Sequence, residues 1–136
     1  MRVSVKLKVS AEAFFNLLID HVSEEIFQAT NQLVARENLC TGLSYIKGTG
    51  HSKVPIKTEI TSLVKNELYE VRIIQGNHTL DIRYQIEEIS ENVIRVVLSQ
   101  YASPEKYQSI FTLIEGQLMA KMRLRDMENR IRDKNK

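Results

Sequence analysis

Cysteine, proline and glycine are scarce in this 136-residue sequence, at one, two and five residues, and tryptophan is missing altogether. A lone cysteine, Cys40, has no internal disulfide partner and leaves cysteine-based zinc sites without enough ligands. No run approaches the roughly 18 consecutive apolar residues that a membrane helix requires. The opening Met1-Arg2-Val3-Ser4-Val5-Lys6 alternates, whereas a signal peptide shows a continuous apolar stretch, so a cytoplasmic location is expected. Hydrophobic residues make up 43% and charged residues 26% of the chain, which excludes disorder and low complexity. The length suits a single domain over residues 1–136.

Signatures of catalysis and of nucleotide binding are also missing. Neither Cys40 nor any serine sits in a glycine-flanked elbow or an ordered Ser/His/Asp pattern, and Cys40 beside Leu39 reads as a small buried residue. Gly48 and Gly50 lack the lysine and helix entry of a phosphate-cradling loop. Asp20, His21, Glu24 and Glu25 form the densest group of metal-ligand residue types, with His21 and Glu25 one helical turn apart. That arrangement fits the hydrated side of an amphipathic helix better than a metal site. His51 and His78 belong to turns, and nothing in the sequence brings them to His21. No catalytic residue, metal ligand or cofactor is therefore assigned.

Net charge is only +2, but it is unevenly placed. Lys121, Arg123, Arg125, Arg130, Arg132, Lys134 and Lys136 face only Asp126, Glu128 and Asp133 in the last 16 residues. Such a basic tail can meet phosphates, yet cations are favoured at a helix C-terminus by the dipole alone, and the interleaved acids are spaced for pairing. No aromatic residue sits among them to stack on a base, so nucleic acid is disfavoured as a partner.

What is abundant is pattern. Arg2 to Val9 alternates perfectly, placing Val3, Val5, Leu7 and Val9 on one side of a half-buried strand. Ser10 is a natural helix cap, and the apolar period then lengthens through Phe14/Phe15, Leu18/Ile19, Val22 and Ile26. This predicts a helix from about Ala11 to about Gln32. A weak stretch from Val34 to Thr41, with at most one helical turn, ends at Gly42. The period returns to two in Leu43 to Lys47, Val54 to Leu63, Glu67 to Gln75, His78 to Glu88 and Val93 to Gln100. Their short polar or glycine-bearing separators predict an antiparallel meander. The expected inner face carries Ile56, Thr58, Ile60, Tyr69, Val71, Ile73, Leu80, Ile82, Tyr84, Ile86, Ile94, Val96 and Leu98. Lys57, Glu59, Glu70, Arg72, Asp81, Arg83, Glu87 and Arg95 fall on the outer face as cross-strand charge pairs. Ser103 and Pro104 then suit the cap and first turn of a long helix. Its apolar positions run through Tyr107, Ile110/Phe111, Leu113/Ile114, Leu118, Met119/Met122, Leu124, Met127 and Ile131, with Gly116 at mid-helix. A helix of that length needs a broad surface to cover, and the meander is the one available.

Strand, helical segment, five-stranded meander and long C-terminal helix together make an α+β order. It resembles the helix-grip fold of the START and birch-pollen-allergen (SRPBCC) superfamily, in which a curved sheet of here about six strands wraps the last helix. Three stretches are more specific: Ser10-Ala11-Glu12-Ala13-Phe14-Phe15, Gly42-Leu43-Ser44-Tyr45-Ile46-Lys47, and Met119 to Met127. They look like a small family of domains of unknown function from low-GC Gram-positive bacteria. The resemblance covers essentially the whole chain, but its motifs are structural.

The resemblance implies a hydrophobic or amphipathic small ligand between the sheet and the Ser103 to Asp133 helix. Tyr45, Tyr69, Tyr84, Phe111, Leu118, Met119 and Met122 are the residues expected to line that space, methionine for its adaptable shape and tyrosine for its hydroxyl. The same side chains would otherwise close-pack into the domain's one core. The second expectation is then a non-enzymatic interaction or regulatory protein, acting through its surface or as a homodimer. The resemblance links it to sugar phosphotransferase systems, near whose components family members are often encoded. An enzyme is the third reading. It requires buried, converging titratable groups, and the outward placement of most charges predicts few.

Overall fold

Alternation decides the first element: in β1 (Arg2–Leu7) Val3, Val5 and Leu7 are buried while Arg2, Ser4 and Lys6 face outward. The computed structural model describes residues 1–47, 55–103 and 110–134, with the side chains of residues 110–118 left aside. The chain passes from β1 to α1 (Ala11–Thr30), a short 3-10 turn (Arg36–Asn38), β2 (Ser44–Lys47), β3 (Ile56–Val64), β4 (Leu68–Gln75), β5 (His78–Ser90), β6 (Val93–Ser103) and α2 (Ile110–Lys134). All six strands form one antiparallel, curved sheet in the order β1-β6-β5-β4-β3-β2. β2 to β6 are therefore a meander, and β1 closes it by pairing with β6. No described helix is long and apolar enough to cross a membrane.

Local chemistry sets each boundary. The Ser10 hydroxyl accepts the Ala13 N–H at 3.1 Å, capping α1 as its sequence predicts. The helix ends two residues earlier than expected, because Asn31 adopts a left-handed conformation and returns its N–H to the Phe27 carbonyl at 2.8 Å. Gly76, at φ 59°, allows a two-residue turn, so that Gln75 pairs directly with His78. At the β2 edge, Gly42 sits at φ 95° and donates to the Ile60 carbonyl at 2.8 Å, a backbone conformation that a β-carbon would strain. A bulge at Thr61 in β3 shifts the register by one residue and returns Leu63 to the inner face opposite Tyr69.

The core lies between the inner sheet face and the two helices. α1 contributes Ala11, Phe14, Phe15, Leu18, Ile19, Val22 and Ile26, and the sheet contributes Ile60, Tyr69, Val71, Tyr84, Ile86, Ile94, Val96 and Leu98 among others. The outer face carries the expected charge pairs, Arg72 with Asp81 at 2.8 Å, Arg83 with Glu70 at 3.7 Å and Arg95 with Glu87 at 3.8 Å. Each joins residues that are register partners.

Several expectations need correction. β1 stops at Leu7, although Val9 is still buried. β6 runs three residues past Gln100, and Ser103, expected as the cap of the last helix, pairs with Thr79 as the final strand residue. Cys40 is exposed while its neighbour Leu39 is buried. Met119 and Met122, expected in the core, are 59% and 60% exposed. The buried stripe of α2 is instead Ala120, Leu124, Met127 and Ile131, spaced by four, three and four residues. At roughly 100° per residue, that spacing keeps one face inward and turns both methionines away from it. Gly48, Gly50 and His51, Pro104 and Tyr107, and Lys136 lie outside the described residues, as do the side chains of Phe111, Leu113, Ile114, Gly116 and Leu118.

One polar contact holds α2 against the first strand. Where β1 ends, the Lys8 N–H has no ladder partner; it donates to Glu128 Oε2 at 2.6 Å, and the Glu128 residue is only 7% exposed. A hydrogen bond to a charged acceptor contributes about 1.5–3 kcal/mol. Replacing Glu128 by alanine is expected to lower unfolding free energy by about 1–2 kcal/mol in urea denaturation, because the partly buried Lys8 N–H loses its charged acceptor. Glu128→Gln keeps an acceptor and is expected to lose less.

Candidate functional site

Three elements leave space where they meet. α1 crosses the inner sheet face, the last turns of α2 approach from the other side, and a pocket of about 720 Å³ remains between them over β2 to β5. Its floor is apolar: Leu18 and Val22 from α1, Val71 and Ile73 from β4, Ile82 from β5 and Met127 from α2. The rings of Tyr69 and Tyr84, register partners on β4 and β5, complete the floor with centroids 6.1 Å apart and planes tilted by 35°.

The rim is polar. α1 sends His21, Glu24, Glu25 and Gln28 to one side, β2 adds Lys47, and α2 adds Arg123, Asp126 and Arg130. Glu25 is tied down from two directions, accepting the Tyr45 hydroxyl at 2.7 Å and facing Lys47 Nζ at 3.8 Å. Arg130 lies 3.6 Å from Asp126 one turn back on its own helix. Arg123 has no ion pair among the described residues. The pocket therefore offers an apolar interior and a mouth of both charge signs.

Tyr45 and Tyr69 keep their protons. Burial raises the Tyr45 hydroxyl well above its ordinary value of 10.0, and the Glu25 carboxylate that accepts its hydrogen bond reinforces the shift. Tyr69 is raised for the same first reason, then by the charge of Glu25 and by Tyr84. Both hydroxyls are thus neutral hydrogen-bonding groups across and beyond the physiological range.

Of the residues expected to line a ligand space, Tyr69 and Tyr84 are on the pocket wall. Tyr45 is buried beside it and reaches it through Glu25. Met119 and Met122 are in solvent, and the side chains of Phe111 and Leu118 lie outside the described residues. The acidic and histidine residues of α1 divide. His21, Glu24 and Glu25 reach the rim, whereas Asp20 forms a two-point ion pair with Arg36, both contacts at 2.6 Å, which lowers its carboxyl below the ordinary 3.8. No metal-binding group of three His, Cys, Asp or Glu occurs among the described residues. Sequence reasoning missed the rim cations Lys47, Arg123 and Arg130. The one signal for the two arginines was the repeated basic residue at helical spacing in α2, which carries no information on what it faces, and Lys47 at the end of β2 had none.

Solved structures repeat this layout of grip and helices. Ara h 8.0201 superposes with a TM-score of 0.59 at 8% identity, over 98% of this chain and 97% of its own length. The START superfamily protein from Mycobacterium smegmatis does so with a TM-score of 0.59 at 12% identity, over the same shares of the two chains. DynU16, from the dynemicin biosynthetic locus, matches 87% of this chain with a TM-score of 0.58 and 14% identity, but only 42% of DynU16 is covered. The fold is thus that of a START-like helix-grip domain. Within that class the chain belongs to the family described as domain of unknown function DUF3284, whose profile matches residues 1–122. None of the curated proteins matches the sequence.

Raised tyrosine values carry a pH consequence. A group whose folded value lies above its unfolded one contributes stability that is fully present below the unfolded value, here 10.0, and is lost as pH rises toward the folded one. Wild-type stability in urea is therefore expected to fall between pH 9 and pH 11 by about 1 kcal/mol or more. Tyr69→Phe, which cannot ionise, is expected to show a shallower fall over the same range.

Proposed function

We propose that this domain binds a small hydrophobic or amphipathic molecule in the pocket between the sheet and α2. The single observation that supports this most is the pocket's division into an apolar floor and a charged mouth. The pocket's volume of about 720 Å³ lies in the range of small-ligand sites, and an apolar group laid on its floor gains dispersion contacts and burial there. The apolar body of the ligand rests on Val71, Ile73, Ile82 and Met127, with Tyr69 and Tyr84 supplying flat surface and hydroxyls. A polar end lies at the rim, within reach of Lys47 and Arg123. Tyr45 acts from behind by fixing Glu25.

The reading is tested with a hydrophobic fluorophore such as anilinonaphthalene sulfonate, whose emission rises in an apolar site. Native protein is expected to bind it saturably, with one molecule per chain. Ile82→Trp, which fills the floor, is expected to weaken binding at least tenfold while circular dichroism and thermal midpoint stay near wild type. Equal binding by the filled variant would sink the proposal.

A further inference from the structure

On the outer sheet face and around both helices, cations sit beside carboxylates: Arg36 with Asp20, Arg72 with Asp81, Arg83 with Glu70, Arg95 with Glu87 and Arg130 with Asp126. Where β1 ends beneath the last turns of α2, that pattern reverses. Lys6, Lys8, Arg125 and Arg132 line a second pocket, of about 460 Å³, together with Glu128 and Val93. Four cations meet one carboxylate, and both oxygens of that carboxylate are engaged. Glu128 Oε2 accepts the Lys8 backbone N–H at 2.6 Å, and Oε1 lies 3.5 Å from Arg125 Nη1. The same Arg125 nitrogen donates to the Lys6 carbonyl at 3.0 Å, which holds its guanidinium at the pocket edge. Lys6, Lys8 and Arg132 have no ion pair among the described residues.

The strand register adds an independent sign. Lys6 is the direct cross-strand partner of Arg95, and like charges set opposite each other destabilise a sheet. Glu87 offsets Arg95 from the β5 side at 3.8 Å; nothing among the described residues offsets Lys6. The positive charge gathered at this concave spot is thus only partly offset, by the single Glu128 carboxylate that Arg125 approaches at 3.5 Å. An external anion would relieve it, and the donors suit one in particular: two guanidinium forks and two ammonium groups, the set that binds phosphate oxygens.

We propose that this pocket binds a small anion bearing two or more phosphate charges. It stands apart from the pocket under the sheet. Arg123, Asp126 and Arg130 turn to one side of α2, while Arg125, Glu128 and Arg132 turn to the other. The concave shape favours a discrete molecule over a flat lipid surface, and Lys6 near the end of β1 and Lys8 just beyond it bound the anion on the strand side.

Inorganic pyrophosphate is the probe, titrated into the full chain by calorimetry at low ionic strength, where screening is weakest. Saturable one-to-one binding is expected. It should weaken at least tenfold when Lys8→Gln and Arg132→Gln are combined, and about threefold in Lys6→Gln, which changes one exposed position and decides the matter should the double variant unfold. Arg72→Gln, on the outer face, should change it less than twofold. The proposal is overturned if pyrophosphate does not saturate, if the Lys6 and Lys8/Arg132 variants bind as well as wild type, or if Arg72→Gln weakens it equally. Binding to phosphatidylglycerol vesicles without binding to free pyrophosphate overturns it too.

Discussion

The inner face of the six-stranded sheet presents Ile60, Tyr69, Val71, Tyr84, Ile86, Ile94, Val96 and Leu98 to one side, and among the described residues it is chiefly the two helices, with Leu39 from the segment between α1 and β2, that keep water from them. Everything else follows from how that face is covered. α1 does so with a dense stripe of aromatic and branched side chains, and the described part of α2 does so with four residues and a carboxylate. Unequal coverage leaves the pocket. It opens where α1 turns from core residues such as Leu18 and Val22 to His21, Glu24 and Glu25, so apolar floor and polar rim come from adjacent positions of one helix. Such a boundary is where an amphipathic molecule can satisfy both its halves.

α2 serves two surfaces at once. Its buried stripe seals the core, while the flanks on either side carry arginines toward different pockets. Glu128 sits between these roles. By accepting the N–H left over where β1 ends, it holds the helix at a definite height against the first strand, and it draws Arg125 toward the same place. A structural hydrogen bond and a cluster of positive charge are thereby built on the same few atoms.

Much of this was legible in advance, and for local reasons. Alternation placed Glu70, Arg72, Asp81 and Arg83 together on the outer face, and the two-residue turn between β4 and β5 sets the register that makes Arg72 the partner of Asp81 and Glu70 that of Arg83. Ser10 announced α1 because a cap acts within four residues. The resemblance to helix-grip proteins supplied the layer arrangement that periodicity cannot. What was not legible depended on distant partners. Tyr101 to Ser103 remain a strand because the start of β5 offers Asp81 to Thr79 as partners, which no local signal reveals. Met119 and Met122 have the same apolar character as Leu124 and Met127, and only the rotation of α2 on its support decides which pair is buried. Tyr69 and Tyr84 were identifiable as inner-face residues because strand alternation is rigid; Lys47, Arg123 and Arg130 converge only once three elements are assembled.

The absence of tryptophan acquires an optical meaning from this arrangement. With no indole to drain their excitation, five tyrosines carry the chain's whole near-ultraviolet emission. Two of them are on the pocket wall, and a third is hydrogen-bonded to a carboxylate at its rim. The domain thus carries an intrinsic reporter concentrated at its main cavity, sensitive to the loss of water around two rings and to any disturbance of the Tyr45–Glu25 bond.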